Sequence, residues 1–505
     1  MSIRGPCDAG QVQGALAPVQ SLSAARKRWV LIATVLGSSL TFIDGSALGV
    51  ALPAIQRDLG AGPAAVQWIS NAYLLTLGAL VLIGGAAGDR FGRRRVFLIG
   101  VGIFALASIV CGLAPTVELL IGGRALQGIG AALLTPGALA LIGSAFPPEE
   151  RGRAFGAWAG AGALFGMIGP LVGGWLSDHA DWRFIFWINI PICIVAIVLA
   201  LWGIPADKLS EKKASLDVFG MLLLCPAFAL LIYGIAQVAK HGGFGSSAVY
   251  VPLMLGVVLM ASYIIYALNT KREPALNVRL FQSVNFTASN ILLIFSGIIT
   301  NGAMLMLPLY YQEVRGASAL SAGLWLLPQG IGMLLTRSWA GKAADRDGSR
   351  NIVLFSLAAV AIGTLPFAFA GTDTNLILLA AALLIRGAGL GGLFIAIMMS
   401  AYIGLPKEQV PHASISTRIF QTIGGAFGSA ILATVAQPQT TGRAGSDLQA
   451  VAGAFNVSFW WAIGFTVAAV IPALFLAMNQ KSGTDLEPEL ELEPEPQSEP
   501  QSCHE

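Results

Sequence analysis

Apolar runs of roughly twenty residues recur along most of this chain, each about long enough to cross a bilayer as a helix. Within lipid, only helices and closed barrels satisfy their own backbone polar groups, and runs of this length are helical. Hydropathy places fourteen spans between residues 29 and 478. Composition agrees: 11% of residues are charged, where a soluble chain carries about 25%, and the mean hydropathy is +0.72. The expected fold class is an all-α membrane protein. Nucleic acid is excluded as a partner, because the basic residues stand in short loops between apolar spans. Cys7, Cys111, Cys193, Cys225 and Cys503 are scattered and odd in number, and suit small hydrophobes and tail thiols better than a disulfide framework. No apolar stretch precedes Trp29, so the first span is expected to act as an anchor rather than a cleaved signal.

Lysine and arginine orient the spans, because they are retained in cytoplasmic loops. With the N-terminus inside, 21 of the 30 lie in cytoplasmic segments, five in external loops and four within spans. Both termini are therefore expected in the cytoplasm. The densest cluster is "GDRFGRRRVFLIG" (88–100), in the loop between spans 2 and 3.

A topology signal accepts any basic loop, yet this one has internal grammar. Asp89-Arg90-x-Gly92-x-Arg94 recurs as Asp345-Arg346-x-Gly348-x-Arg350, 256 residues later. In both places an apolar span follows, then a span with an arginine inside it, Arg124 in one and Arg386 in the other. Two six-span halves related as parallel repeats are a transporter architecture. The expected organisation is a cytoplasmic segment 1–28, a first half 29–204, a linker with two additional spans 205–285, a second half 286–478 and an acidic tail 479–505. Eight of the 27 acids lie in that tail, which with its prolines suits a disordered extension.

These motifs resemble the major facilitator superfamily, and within it the fourteen-helix drug:proton antiporters. "GAAGDRFGRRR" is similar to the family's loop 2–3 motif, with Ala87-Gly88 where Leu-Ala is commoner. "RALQGIGAALLTPGALALI" resembles the span-4 arginine motif and "GMIGPLVGGW" the span-5 motif of antiporters. "DGSALGVALPAIQRDL", "WRFIFWINIP" and "ASISTRIFQTIGGAFGSAI" resemble segments of the fourteen-helix group. The resemblance implies a major facilitator fold of two six-helix halves plus two helices between them. It also implies a bacterial inner-membrane protein that exports lipophilic, cationic drugs in exchange for protons, as in antibiotic resistance. No cofactor is implied, the proton gradient being the energy source. A periplasmic adaptor and an outer-membrane channel are the candidate protein partners.

Asp44 is the only one of the 27 acids placed deep in a span. An intramembrane carboxylate costs about 2.5–3.5 kcal/mol on insertion scales, which makes function the default reading. A proton and a cationic substrate would compete for its charge. Arg124 lies at comparable depth, so an Asp44–Arg124 pair that loosens on protonation is expected; a purely structural ion pair is the alternative. Gly166, Gly169, Pro170, Gly173 and Gly174 would form a close-packed, bendable helix at the boundary between halves. Asp89, Arg90, Gly92, Arg93, Arg94, Asp345, Arg346 and Gly348 would form a latch whose contacts across the two halves hold the outward-facing state, where topology plus lipid contact explains the charge alone. Asn71, Tyr73, Gln127, Asn189, Asn301, Tyr310, Tyr311, Gln329, Arg386 and Gln421 are candidates for the substrate cavity, Arg386 for an anionic part of the substrate.

An enzyme is not expected. The chain has no G-x-S-x-G, H-E-x-x-H or P-loop, and its four histidines are isolated, so no metal site is expected either. The rival expectations are a solute:proton symporter importing a nutrient and an exporter of an endogenous metabolite.

Overall fold

A computed structural model describes residues 23–146, 148–207, 217–241, 245–270, 274–405, 410–441 and 448–476. The first 22 residues, most of the charged linker and the acidic tail lie outside the described residues, with Cys7 and Cys503. Among the described residues there are helices and no strands. They run as α1 (Ala24–Leu59), α2 (Pro63–Phe91), α3 (Arg93–Gly112), α4 (Val117–Ala145) and α5 (Pro148–His179). Then come α6 (Phe184–Gly203), α7 (Val218–His241), α8 (Ser247–Asn269) and α9 (Val284–Leu309, with a π-turn Tyr310–Val314). The rest are α10 (Ala319–Asp347), α11 (Ser349–Thr364), α12 (Leu376–Tyr402), α13 (Val410–Thr441) and α14 (Leu448–Ala468).

Thirteen of these segments are long and apolar enough to cross a membrane. The expected fourteenth, α13, has the length, and several of its side chains lie outside the described residues. Local chemistry starts several helices. Ser23, Thr116, Ser246, Ser283 and Asn375 each cap a helix by accepting a backbone N–H two or three residues on. Pro63 opens α2, where its missing N–H costs nothing.

The packing repeats. In the first half α1 lies against α4, α5 and α6, while α4 lies against α2 and α3. In the second half α9 lies against α12, α13 and α14, while α12 lies against α10 and α11. The halves meet along two seams, α5 with α10 and α2 with α13. The extra helices form a hairpin, and α7 covers only the second seam, packing on both α2 and α13. There Leu224, Phe228 and Ile232 join Val81, Leu82, Ile419 and Ile423 in one apolar cluster.

Both copies of the sequence repeat have the same backbone. Gly92 (φ 104°) separates α2 from α3, and Gly348 (φ 85°) separates α10 from α11. Such φ values favour glycine, which is why the motif keeps one between two helices with no other connecting residue.

Candidate functional site

The loops 60–62, 113–116 and 180–183 define one side of the bundle, called the far side; the opposite side carries the Gly92 and Gly348 turns. Midway between these sides, the first half holds a polar network in an apolar interior. Asp44 on α1 and Arg124 on α4 form a direct ion pair, with the two side chains 0% and 1% exposed. The guanidinium Nε donates to the Ile69 carbonyl at 3.1 Å, and a terminal nitrogen donates to Gln127 Oε1 at 2.7 Å. Its carbon lies 4.5 Å from the Tyr73 ring centroid. Gln127 Nε2 donates to Ser108 Oγ at 2.9 Å and reaches Asp44 Oδ1 at 3.4 Å. Asn189 Nδ2, on α6, reaches the same two oxygens at 3.4 Å. Side chains from α1, α2, α3, α4 and α6 thus converge on one carboxylate–guanidinium pair. Asn189 was a cavity candidate from the sequence; Ser108 was missed, because a neutral serine in a span carries no signal until its helix is placed.

The second half has no such pair among the described residues. Arg386 occupies the corresponding span and is 1% exposed. Its Nε donates to Thr364 Oγ1 at 3.2 Å, one terminal nitrogen to Gln329 Oε1, and the other to the Ile299 carbonyl at 2.9 Å. Gln421 accepts from Arg418 at 3.3 Å on α13.

Other cavity candidates scatter. Asn71 accepts from Ser429 Oγ across the α2/α13 seam at 2.9 Å. Asn301 donates to the Gly297 carbonyl of its own helix at 3.3 Å. Tyr310 lies among Phe367, Phe455 and Phe459 with its hydroxyl donating to the Gly371 carbonyl, which places it in aromatic packing away from the Asp44 network. Trp182 is 4% exposed, with its indole N–H on Asp58 at 3.0 Å.

The glycine run of α5 divides its contacts. A side chain at Gly169 or Gly173 would overlap Ser46 or Ala47 of α1, just beyond Asp44. One at Gly174 would overlap the Ala319 carbonyl of α10, and Gly323 of α10 lies against the Pro170 carbonyl. Gly166 faces open space, so it is not part of the close-packed stripe. At the end of the same helix Asp178 accepts the N–H groups of Ala319 and Leu320, at 3.1 and 2.7 Å, capping α10 across the halves. Gln312 adds a second far-side tie, donating to the Val50 carbonyl at 2.9 Å.

The arginine-rich turn is tied within its own half. Asp89 accepts from Arg93, which also donates to the Ala140 carbonyl at 3.2 Å, and Arg94 donates to the Leu201 carbonyl at 2.7 Å. Arg90 stacks over Phe91. The unforeseen member is Asp207, whose carboxylate accepts the N–H groups of Arg94 and Arg95 at 3.1 and 3.0 Å. It caps α3 from the chain beyond α6 and fills the space a side chain at position 92 would need. The expected bonds from this stretch to the other half are not among those described; the cross-half bonds described here lie toward the far side instead. The side chains of Asp345 and Arg346 lie outside the described residues.

The family model of the Major Facilitator Superfamily matches residues 34–429. The chain belongs to that superfamily. A multidrug resistance protein B homolog of Mycobacterium tuberculosis is 30% identical, with 89% of each chain covered. A puromycin resistance protein of Streptomyces alboniger is 30% identical over 91% of this chain and 93% of its own. A riboflavin transporter of Clostridioides difficile is 28% identical over 90% and 99%. Among solved structures, an inward-facing, unoccupied bacterial homolog of the human lysosomal transporter Spinster superposes with a TM-score of 0.63. At 16% identity over 90% of this chain and 98% of that one, it shares the fold alone. The protein is thus a multi-pass membrane protein of a superfamily of transporters rather than enzymes.

Proposed function

We propose that this superfamily member exports lipophilic drugs or related small molecules in exchange for protons, by alternating access. The observation that carries this reading is the buried Asp44–Arg124 pair with its polar cage. Protonation of Asp44 removes one charge of the pair and leaves Arg124 to its neutral acceptors. A basic substrate nitrogen is the other partner that Asp44 could take, so proton and substrate compete for one carboxylate. The neighbouring close contact of Ser46 and Ala47 with Gly169 and Gly173 supports a route outward. A shift of α1 presses on α5, and α5 carries the far-side tie to α10. Names of relatives that refer to multidrug and puromycin resistance favour export. The lysine and arginine census supports a bacterial cytoplasmic membrane with both termini inside and the far side external.

The experiment is efflux of a cationic dye from inverted membrane vesicles under an imposed pH gradient. The gradient should drive dye movement by the wild type and fail with Asp44→Asn. Equal stimulation of both proteins would reject Asp44 as the coupling site. The riboflavin transporter among the relatives supports a second reading, import of a nutrient with protons, and proton-driven uptake into whole cells would decide for it.

A further inference from the structure

The charges buried around the centre of this bundle do not balance. Asp44 is the only carboxylate placed deep in a span, and Arg124 already pairs with it. Two more arginines lie at depth in the second half. The sequences of α12 and α13 contain no acid, and the acid of α9 is Glu313 in its closing π-turn toward the far side, so neither arginine has a counter-charge on its own helix. Arg386 is held by three neutral acceptors that occupy both terminal nitrogens and Nε. Arg418 is different. One terminal nitrogen bonds Gln421 Oε1 at 3.3 Å, and its Nε is buried with no partner among the described residues.

Arg418 stands on α13 at the seam with α2, next to Ile419, which packs with Val81 and Leu82. The Tyr73 hydroxyl is also buried without a partner. A guanidinium Nε–H on α13 and a phenolic O–H on α2 are thus each buried with no hydrogen-bond partner among the described residues. Buried donors are normally bonded and buried charges normally paired. The planar guanidinium fork matches a carboxylate better than any neutral acceptor does.

We infer that the substrate carries an acidic group, and that Arg418 receives it. Combined with a basic nitrogen at Asp44, the cavity takes bipolar lipophiles rather than simple cations. The basic end and the direction of transport rest on the export reading; the acidic end does not.

Nε-dansyl-lysine and dansylcadaverine test this, since they differ by one carboxylate on the carbon that bears the amine. Binding of each is followed by dansyl fluorescence on the full chain in lipid nanodiscs. Dansyl-lysine should bind about tenfold to a hundredfold tighter, the size of one charge-assisted contact. Arg418→Gln should remove that gain and leave dansylcadaverine unchanged, while Arg418→Lys should keep part of it. Equal or weaker binding of dansyl-lysine by the wild type overturns the inference, whether or not the glutamine variant folds. A preference that survives in Arg418→Gln overturns it too. Efflux of dansylcadaverine under a pH gradient is scored separately. Loss of the gradient response with the carboxylate preference intact would sink export and leave the acidic subsite standing.

Discussion

At the scale of single residues, the Asp44–Arg124 pair is held by more than its two charges. Removing the guanidinium strands a buried carboxylate and frees the Ile69 carbonyl and Gln127 Oε1. Arg124→Ala should therefore destabilise the protein by roughly 3–5 kcal/mol, whereas Asp44→Asn should cost less, because Asn still accepts from Gln127 and Asn189. Melting curves of the detergent-solubilised variants check this, and the double substitution Asp44→Asn/Arg124→Gln should melt above Arg124→Ala alone. Gly92 is constrained twice, by its positive φ and by the Asp207 carboxylate beside it. Gly92→Ala should lower stability by more than Asp207→Ala, which removes only a helix cap worth about 1 kcal/mol. Equal melting temperatures for the two would show that the carboxylate is not what fills that space.

At the scale of elements, α5 is the helix that touches both the ion-pair helix α1 and the opposite half. Gly173→Leu should force α1 and α5 apart and cost about 1–3 kcal/mol, the usual penalty of overpacking. The same change at Gly166, which faces open space, should leave the melting temperature unchanged. Asp178 caps α10 from the other half, so Asp178→Ala should loosen the far-side closure. Spin labels at the exposed positions Glu118→Cys and Asp373→Cys would then report a longer far-side distance. An unchanged distance distribution would remove Asp178 from the closure.

At the scale of the whole molecule, the halves share one plan and differ in charge. Gln329 stands 256 residues after Tyr73, the spacing that separates Asp89 from Asp345. Each lies against the intramembrane arginine of its half, Tyr73 beneath Arg124 and Gln329 bonded to Arg386. The first half adds a carboxylate to this arrangement and the second does not. One half therefore holds its arginine against a carboxylate, while the other holds it on neutral acceptors among the described residues. Rocking of the two halves also requires the α5/α10 seam to open on the far side. A disulfide between Asp178→Cys and Leu320→Cys should abolish transport, and a reducing agent should restore it. Full transport by the crosslinked protein would contradict alternating access through this seam.

Much of this was legible in the chain itself. Hydropathy alone dictates membrane helices, because lipid leaves the backbone no other hydrogen-bonded form at that length. Repeated Asp-Arg-x-Gly-x-Arg grammar exposes the two halves, since local turn geometry needs the same residues in both. Asp44 and Arg124 announce themselves because charge in lipid is costly wherever its helix lies. What tertiary structure alone decided are the partners. Ser108 beside the ion pair, Asp207 on the start of α3 and Asp178 on the start of α10 are ordinary polar residues in sequence, and Asn189, one cavity candidate among several there, has its place beside Asp44 only in the fold. Their roles depend on which helix ends and faces are brought within about 3 Å, and hydrogen bonding falls away steeply beyond that distance. The unpaired state of Arg418 has the same origin, because a missing counter-charge exists only once every neighbouring helix is in place.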